Sequence, residues 1–166
     1  MIKTGGQSAG KTFNILKESS ETLCPEETKM NLDPKWVVGF VDGEGSFHIG
    51  ISKHTSMKDG VQVLPEFVVT QYKRDVQVLY GLKAFFKCGV VRHEKQNVFC
   101  YRVRDRKALE AYILPFFERH KLKTKKRVDF LKFRCVVKMM SEGLHLSTEG
   151  LKEIRILRES PSTRET

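Results

Sequence analysis

The amino-acid sequence predicts an α+β fold with the element order α-β-β-α-β-β-α and one or two further helices at the C-terminus. The first observation is that apolar and polar residues alternate in four short segments, which is the period of a half-buried strand. The second is that amphipathic segments with the period of a helix lie before, between and after these strands. The third is that 166 residues with 40% hydrophobic content suffice for one domain with a core. The opening motif occurs once, so we predict one copy of the fold.

The first helix and hairpin are predicted between residues 33 and 71. Asp33 followed by Pro34 indicates a helix start, because the Asp side chain can accept hydrogen bonds from free N–H groups and Pro suits the first turn. We expect this helix to end near Asp42. From Gly45 the period changes to two, with Phe47, Ile49 and Ile51 apolar. After a turn at "SMKDG" a second strand runs to Gln71, with inward residues Val61, Val63, Phe67 and Val69.

The second half of the fold repeats the order of helix and hairpin. Residues 73–87 form an amphipathic stripe that we expect Gly89 to end, with apolar positions Val76, Leu79, Leu82 and Phe86. Two short strands follow around a turn near residues 95–97, with Phe99, Tyr101 and Val103 inward and Cys100, Arg102 and Arg104 outward. Asp105 caps the next helix, which Pro115 is expected to terminate. A longer helix is predicted from near Thr124 to before Gly143, and "LSTEGLKEIRILRES" supplies the last one.

The charge of the chain favours a polyanionic partner. Thirty Lys and Arg residues against 20 Asp and Glu residues give a formal net charge of +10. Residues 1–30 hold four Lys and four Glu, so the whole excess belongs to residues 31–166. Nucleic acid is the leading partner, and an anionic membrane surface is the alternative.

No targeting or membrane-spanning segment is visible in the sequence. No apolar run approaches the roughly 20 residues that a spanning helix needs, and no signal peptide precedes the domain. We therefore expect a soluble, intracellular protein with no membrane partner. Four cysteines have no metal-ligand spacing and are predicted to be reduced and structural: Cys24, Cys88, Cys100 and Cys135.

Residues 1–30 are predicted to be a poorly ordered leader, and residues 31–166 the domain. The leader is rich in Ser, Thr and Gly and lacks apolar periodicity. Its segment "GGQSAGKT", residues 5–12, has the spelling of a phosphate-binding loop. Such a loop works between a buried strand and a helix, and the preceding "MIKT" cannot be that strand. We expect no nucleotide cofactor.

Several segments together carry a family resemblance. They are "WVVGFVDGEGSF", "VVTQYKRD", "YRVRDRKALEAYILPFFE" and "KLKTKKRVDF". With these the chain closely resembles the LAGLIDADG homing endonucleases over roughly residues 33–141, and residues 37–45, "VVGFVDGEG", stand at the nine-residue signature. The resemblance implies the homing-endonuclease fold, with a saddle-shaped antiparallel sheet. It also implies a site-specific, metal-dependent DNA endonuclease.

Single-motif members of that family act as homodimers that cut long, nearly palindromic double-stranded DNA sites, so the same is implied here, with short 3′ overhangs. The resemblance also suggests an intron-encoded origin in an organelle, chloroplast or mitochondrion, or in a microbial cell. Two alternatives remain open: an RNA maturase that assists group I intron splicing, and a non-cleaving DNA-binding protein of the same fold. Neither the DNA target nor the host can be read from the sequence.

The glycines of the motif suggest how two copies would meet. Gly39 and Gly43 lie one helical turn apart on the same face, where missing side chains allow two helix backbones to approach closely. In a two-fold dimer the two helices would have their C-terminal ends side by side. The predicted interface comprises Trp36, Gly39, Phe40 and Gly43. The alternative is a monomer in which these glycines fit a crowded core and the neighbouring acids are solvated.

The acids at the end of the motif predict a metal site. In a dimer the Asp42 and Glu44 side chains of both copies would lie close together, and their like charges repel unless divalent cations lie between them. Hard oxygen ligands suit Mg²⁺. The resemblance assigns direct metal binding to Glu44, with the Gly43 backbone carbonyl as a further ligand and Asp42 mainly shaping the helix end. It also implies that Mn²⁺ can substitute and that Ca²⁺ supports DNA binding without cleavage.

Two further catalytic residues follow from the resemblance. Gln71 resembles the family's water-positioning polar residue, and Lys123 resembles the basic residue that stabilises charge on the scissile phosphate. Residues 121–127 hold five cationic residues at the start of a helix, where the macrodipole disfavours cations, so an anion is expected there. The alternative for such a run is a solvated basic face.

The outward face of the two hairpins is predicted to read DNA, because a twisted two-stranded ribbon fits the major groove. Arg can pair bidentately with guanine, while Gln, His and Glu can read other base edges. The predicted contacts are His48, Ser52, His54, Gln62, Glu66, Thr70, Arg92, Glu94, Arg102 and Arg104, together with Lys125 and Lys126 from the basic run.

Overall fold

A computed structural model describes residues 30–55 and 60–161 of the chain. Most of the predicted leader with its "GGQSAGKT" segment, and most of the "SMKDG" turn, lie outside these residues. The helices and strands in chain order are α1 (Pro34–Glu44), β1 (Gly45–Lys53), β2 (Val61–Tyr72), α2 (Val76–Phe86), β3 (Val90–His93), β4 (Val98–Val103), α3 (Arg106–Ala108), α4 (Leu114–Arg119), α5 (Lys126–Ser141) and α6 (Thr148–Glu159). The predicted α+β class and the order α-β-β-α-β-β-α with C-terminal helices are confirmed. No helix in the described ranges has the length and apolar character needed to cross a membrane.

The four strands form one antiparallel sheet in the order β1-β2-β4-β3. Gly45 pairs with Val69, and Phe67 pairs with Val103, so the long strand β2 lies between β1 and β4 in the middle of the sheet. Helices cover one face, on which Phe47 and Phe67 stack with their ring centroids 5.1 Å apart. Around this pair the buried rings of Phe117, Phe130 and Phe133 complete an aromatic core. The other face of the sheet carries the polar residues of the alternating pattern.

The motif helix α1 begins as the sequence predicts. Asp33 Oδ1 accepts hydrogen bonds from the backbone N–H groups of Lys35, at 2.8 Å, and Trp36, at 3.2 Å. Val37, Val38 and Val41 are buried against the core. The helix continues through Glu44, two residues past the expected end at Asp42, so both acids of the motif belong to its last turn.

The prediction that Pro115 ends a helix is wrong. Asp105 caps this helix as expected, since its side chain accepts from Ala108 N at 2.8 Å. The chain then passes through a π-helical turn at Leu109–Ile113, in which Leu114 N donates to Leu109 O, and continues as α4 to Arg119. Proline cannot donate to a carbonyl of the preceding turn and needs room for its ring, and the wider π turn meets both requirements.

The end of α2 also differs from the prediction. The helix begins at Val76 after a 3₁₀ turn at Lys73–Asp75 and ends at Phe86, where Lys87 takes the left-handed conformation with φ 56°. Gly89 does not end the helix but follows it with φ +76°, where an added Cβ would lie only 2.8 Å from Arg102 O. The glycine is therefore required by the close approach of β4.

Candidate functional site

The face of α1 opposite the core is open. Gly39 and Gly43 are exposed, and a Cβ added to either would meet no described atom within 4 Å. Trp36, 43% exposed, stacks on Phe40 along the same face, with the ring centroids 4.8 Å apart. Within the described residues, the glycines therefore do not fit a crowded core of the single chain. The four residues of the predicted interface lie on one uncovered strip, which we call the glycine face.

Glu44 ends α1 with an exposed carboxylate that makes no hydrogen bond or ion pair within the described residues. Gln71 lies near the same junction because β2 runs two residues past Val69, the partner of Gly45, which is about 7 Å of strand. Gln71 shares the helix-covered side of the sheet with Phe67 and Val69, and it is half-buried. The strand register therefore brings Gln71 to the place where α1 turns into β1.

The other acid of the motif, Asp42, is engaged by the segment that leads into α5. Its Oδ2 accepts from Lys123 N at 2.7 Å, and its Oδ1 accepts from Thr124 Oγ1 at 2.8 Å and from Thr124 N at 3.3 Å. An acid of the chain therefore lies beside the start of the basic run and binds its backbone N–H groups. Both oxygens are used in holding two segments together, which fits the expectation that Asp42 shapes the helix end.

Lys126, predicted to contact DNA as part of the basic run, reaches back to the end of α1. Its Nζ donates to Gly45 O at 2.5 Å and to Gly43 O at 3.3 Å. The Gly43 carbonyl, a predicted metal ligand, therefore accepts a hydrogen bond from an ammonium group in this structure. Lys125 is exposed beside it.

Lys123 is fixed by its backbone, because its N–H is bound by Asp42 as described above. Its exposed side chain borders a cavity of about 390 Å³ between α1 and the segment before α5. This cavity opens next to the glycine face, and its other lining residues are Lys35, Val38, Gly39, Asp42, His120 and Lys121. The backbone of Lys123 is thus held beside Asp42, two residues before Glu44, while the strand register places Gln71 near Gly45, one residue after it.

The outward face of the sheet carries the predicted DNA contacts. The exposed ones are His48, Ser52, His54, Thr70, Arg92, Glu94 and Arg104, and the half-buried ones are Gln62, Glu66 and Arg102. Their register is consistent with one surface, since His48 pairs with Glu66 on β2 and Thr70 pairs with Cys100 on β4.

The two acids of this face are bound by its arginines. Glu66 Oε2 lies 2.6 Å from Arg104 Nε and 3.4 Å from Arg102 Nε, and Glu94 Oε1 lies 2.9 Å from Arg102 Nη2. The side chains of Arg102 and Glu66 are 19% and 16% exposed, whereas that of Arg104 is 55% exposed. Arg102 therefore lies between two carboxylates, whereas Arg104 is more exposed and has only its Nε bound within the described residues.

Cys100 points outward, as predicted, yet is only 1% exposed. Its Sγ donates to Glu94 Oε1 at 2.9 Å. Burial, reinforced by the hydrogen bond to Glu94, raises the pKa of the Cys100 thiol from 9.0 to about 11. The same hydrogen bond, together with the charge of Arg102, lowers the pKa of Glu94. Cys88, Cys100 and Cys135 are free thiols, as predicted for these three.

Sequence reasoning missed two parts of this site. Thr124 binds Asp42 through its hydroxyl and its N–H, and the only signal for it was a Thr set among lysines before a helix. The reach of Lys126 to α1 left no signal in the sequence, because its two acceptors are backbone carbonyls more than 80 positions away.

Comparison with known proteins identifies the family of the chain. A sequence model of the LAGLIDADG endonuclease family matches residues 37–137. The chain belongs to the LAGLIDADG endonuclease family. It is 30% identical over 159 residues to the DNA endonuclease I-CeuI of Chlamydomonas moewusii, covering 90% of this chain and 73% of that protein. Two other curated relatives, from Neurospora crassa and Podospora anserina, are much longer, and the chain spans 28% and 30% of their lengths.

Solved structures of the family share the fold. The homing endonuclease I-TnaI has a TM-score of 0.75 and 53% identity, over 78% of this chain and 87% of that one. The homing endonuclease I-SmaMI bound to cleaved DNA has a TM-score of 0.77 and 38% identity, over 80% of this chain and 44% of that one. I-SmaMI has also been solved on its uncleaved DNA target in the presence of calcium ions, at 34% identity and a TM-score of 0.75, over 76% of this chain and 43% of that one.

Proposed function

We propose that the protein is a site-specific DNA endonuclease that, as a homodimer, makes a double-strand break in a long, nearly palindromic site by Mg²⁺-dependent hydrolysis. The observation that carries this proposal is the glycine face of α1, where no atom of the described residues covers Gly39 or Gly43, and which ends at Glu44, a carboxylate without a partner within those residues. Family membership and the named activities of the relatives support it.

The dimer would form through the glycine face. A two-fold axis beside α1 places the same face of both copies in contact, so each glycine approaches a helix backbone and each stacked pair of Trp36 and Phe40 is covered. Both α1 helices would then end side by side at the axis, where each chain enters its sheet at Gly45. Each chain contributes one half of a symmetric DNA contact, which is why a nearly palindromic site is expected.

The residues at the junction fit a hard divalent cation. Within the described residues no three His, Cys, Asp or Glu side chains lie close enough to hold a metal ion. A second copy would add a second Glu44, and DNA would add phosphate oxygens, which together are the oxygen ligands that Mg²⁺ prefers. When bound there, the ion supplies an activated water and stabilisation of the leaving oxygen.

The remaining roles belong to side chains of this chain. Gln71, at the end of β2, would orient the attacking water. Lys123 would stabilise the charge that develops on the scissile phosphate, a role supported by the hydrogen bond from its N–H to Asp42, which fixes its backbone against α1. Asp42 itself would act only as a positioning residue, since both of its oxygens are occupied.

The reading face would lie in the major groove. Arg104 has its Nε bound by Glu66, which leaves its two Nη groups directed away from the pair for the O6 and N7 atoms of a guanine. The exposed side chains of His48, Thr70 and Arg92 would complete the contacts in each half-site. The net charge of +10 would add affinity for phosphates that depends on salt rather than on sequence.

The experiment that tests the proposal uses the DNA that flanks the reading frame, joined as it would be without an intron, because the names of several relatives indicate intron-encoded proteins. We expect the purified full chain to cut this duplex in Mg²⁺ and to bind it uncut in Ca²⁺. The Glu44→Gln variant should bind in Ca²⁺ with nearly unchanged affinity and should not cut. Glu153→Gln, an exposed acid of α6, is the control and should cut normally. Full cutting by the Glu44 variant, or binding of the corresponding RNA but not of DNA, would defeat the proposal.

A further inference from the structure

We propose that Lys126 is a built-in counter-cation for the carboxylate end of α1, which lets two copies bring their Glu44 side chains together before any divalent cation is bound. This inference rests on the proposed dimer through α1. It concerns a residue that the sequence assigned to DNA binding and that the structure places at the end of the motif helix.

The end of α1 concentrates negative charge. The C-terminus of a helix carries the negative end of the macrodipole and several carbonyls without helical partners. The last turn of α1 also holds two acids and no basic residue of its own. Asp42 is neutralised locally by the N–H groups that it accepts, whereas Glu44 has no such partner within the described residues.

Lys126 supplies the missing positive charge from another helix. Its Nζ binds the carbonyls of Gly43 and Gly45, the residues on either side of Glu44. Lys126 is the first residue of α5, and a cation at a helix N-terminus is unfavourable for its own helix. Its position is therefore explained by the end of α1, not by α5.

The contact is one half of a reciprocal arrangement between two helix ends. An acid from the end of α1, Asp42, accepts the N–H groups that lead into α5, and a lysine from the start of α5 donates to the carbonyls that end α1. The negative side chain of Asp42 lies at the positive N-terminal end of α5, and the positive side chain of Lys126 lies at the negative C-terminal end of α1. The pairing fixes α1 against α5 and sets the direction in which Glu44 leaves the helix.

In the dimer, the contact of Lys126 with the end of α1 would determine whether two copies can associate without a divalent cation. Two Glu44 carboxylates at the axis repel each other, and two Lys126 ammonium groups nearby would offset that repulsion. The wild-type chain is therefore expected to dimerise equally well with and without a divalent cation. A chain that lacks the ammonium should depend on the cation for assembly, because only the cation then balances the carboxylates.

The test measures dimerisation by sedimentation equilibrium of the full chain without DNA, in EDTA and in Mg²⁺. We expect Lys126→Met to weaken association by about tenfold in EDTA, a coupling of ordinary size for neighbouring charges, and Mg²⁺ to restore it. Lys126→Gln, which keeps a donor for the carbonyls but lacks the charge, should behave like Lys126→Met. Lys126→Arg should remain close to the wild type.

Two controls make the result specific. Lys125→Met removes the same charge from the neighbouring exposed position and should leave association unchanged. Adding Glu44→Gln to Lys126→Met should restore association in EDTA, since the repelling carboxylates are then gone. Thermal unfolding of every variant shows whether it is folded, and Lys126→Gln provides the measurement if Lys126→Met is not.

The outcomes separate the two proposals. If the wild type dimerises but Lys126→Met and Lys126→Gln match the Lys125 control in EDTA, the counter-cation role is wrong and the dimer stands. The role is equally wrong if the Glu44→Gln change does not rescue association. A wild-type chain that remains monomeric in both solutions, at concentrations where its DNA is cut, overturns the dimer and this inference together.

Discussion

Replacing Gly39 should have opposite effects on the single chain and on the dimer. Gly39 lies inside an 11-residue helix, and a Cβ there meets no described atom within 4 Å. Alanine is more favourable than glycine in a helix interior by about 1 kcal/mol. Because no atom of the described residues has to move, the Gly39→Ala chain should gain most of that free energy of unfolding. For a chain of this size the gain corresponds to a rise in Tm of about 2–4 °C.

The dimer should respond in the other direction. If two glycine faces meet, the space at Gly39 is filled by the backbone of the second copy, and a side chain there pushes the helices apart. A Leu side chain would displace the axis by roughly an ångström or more, and a misplacement of that size can cost about a hundredfold in rate. Gly39→Leu should therefore lose cleavage by about two orders of magnitude and weaken association, with Gly39→Ala intermediate.

The assay combines chemical denaturation at concentrations below dimerisation with sedimentation and cleavage at higher concentration. Gln77→Ala, an exposed position of α2, is the control and should leave association and cleavage unchanged. Wild-type cleavage by Gly39→Leu would refute the proposed interface. A Gly39→Ala chain that is less stable than the wild type as a monomer would show that the face is packed within the chain, and the reasoning would fail at its first step.

Three further outcomes are expected. Lys123→Met should lower the cleavage rate far more than DNA affinity, because its charge acts on the transition state; equal losses would reduce Lys123 to a phosphate anchor. Arg104→Ala should relax discrimination at one base pair of each half-site by about 1–3 kcal/mol, and Glu66→Gln should have part of this effect because it releases Arg104. Cleavage of a target library randomised at each position measures this discrimination, and an unchanged profile would contradict the guanine contact. Because burial raises the pKa of Cys100 to about 11, its stabilising effect should be complete below pH 9 and should be lost as the pH rises towards 11. The difference in unfolding free energy between the wild type and Cys100→Ala measures this, and a difference that stays constant over that range would show that the thiol does not titrate there.

The sequence predicts those parts of the fold that depend on local patterns. Strand alternation placed Phe47, Phe67 and Tyr101 on the covered side of the sheet because a strand has only two faces. The cap at Asp33 was predictable for the same reason, since its acceptor and donors lie within three residues of one another.

The failures come from tertiary contacts. Pro115 does not end its helix because the continuation places Phe117 in the aromatic core, and a π turn that no local pattern indicates makes the continuation possible. The alternation assigned Cys100 to the outward face correctly but could not show that Glu94, from across the hairpin, covers it. Pattern gives the side of a sheet on which a residue lies, and only the packed structure shows what lies over it.

The sequence pattern alone could not show which lysine of the basic run at residues 121–127 has which role. Composition treats Lys121, Lys123, Lys125 and Lys126 alike, and the resemblance alone selected Lys123. The structure separates them by their backbone positions. The hydrogen bonds of Asp42 to Lys123 N and to Thr124 fix the chain against α1, and one turn later Lys126 is committed to the carbonyls of Gly43 and Gly45. Lys123 is held by its backbone and Lys126 by its ammonium, so two lysines of one basic run are committed to the end of α1 in different ways.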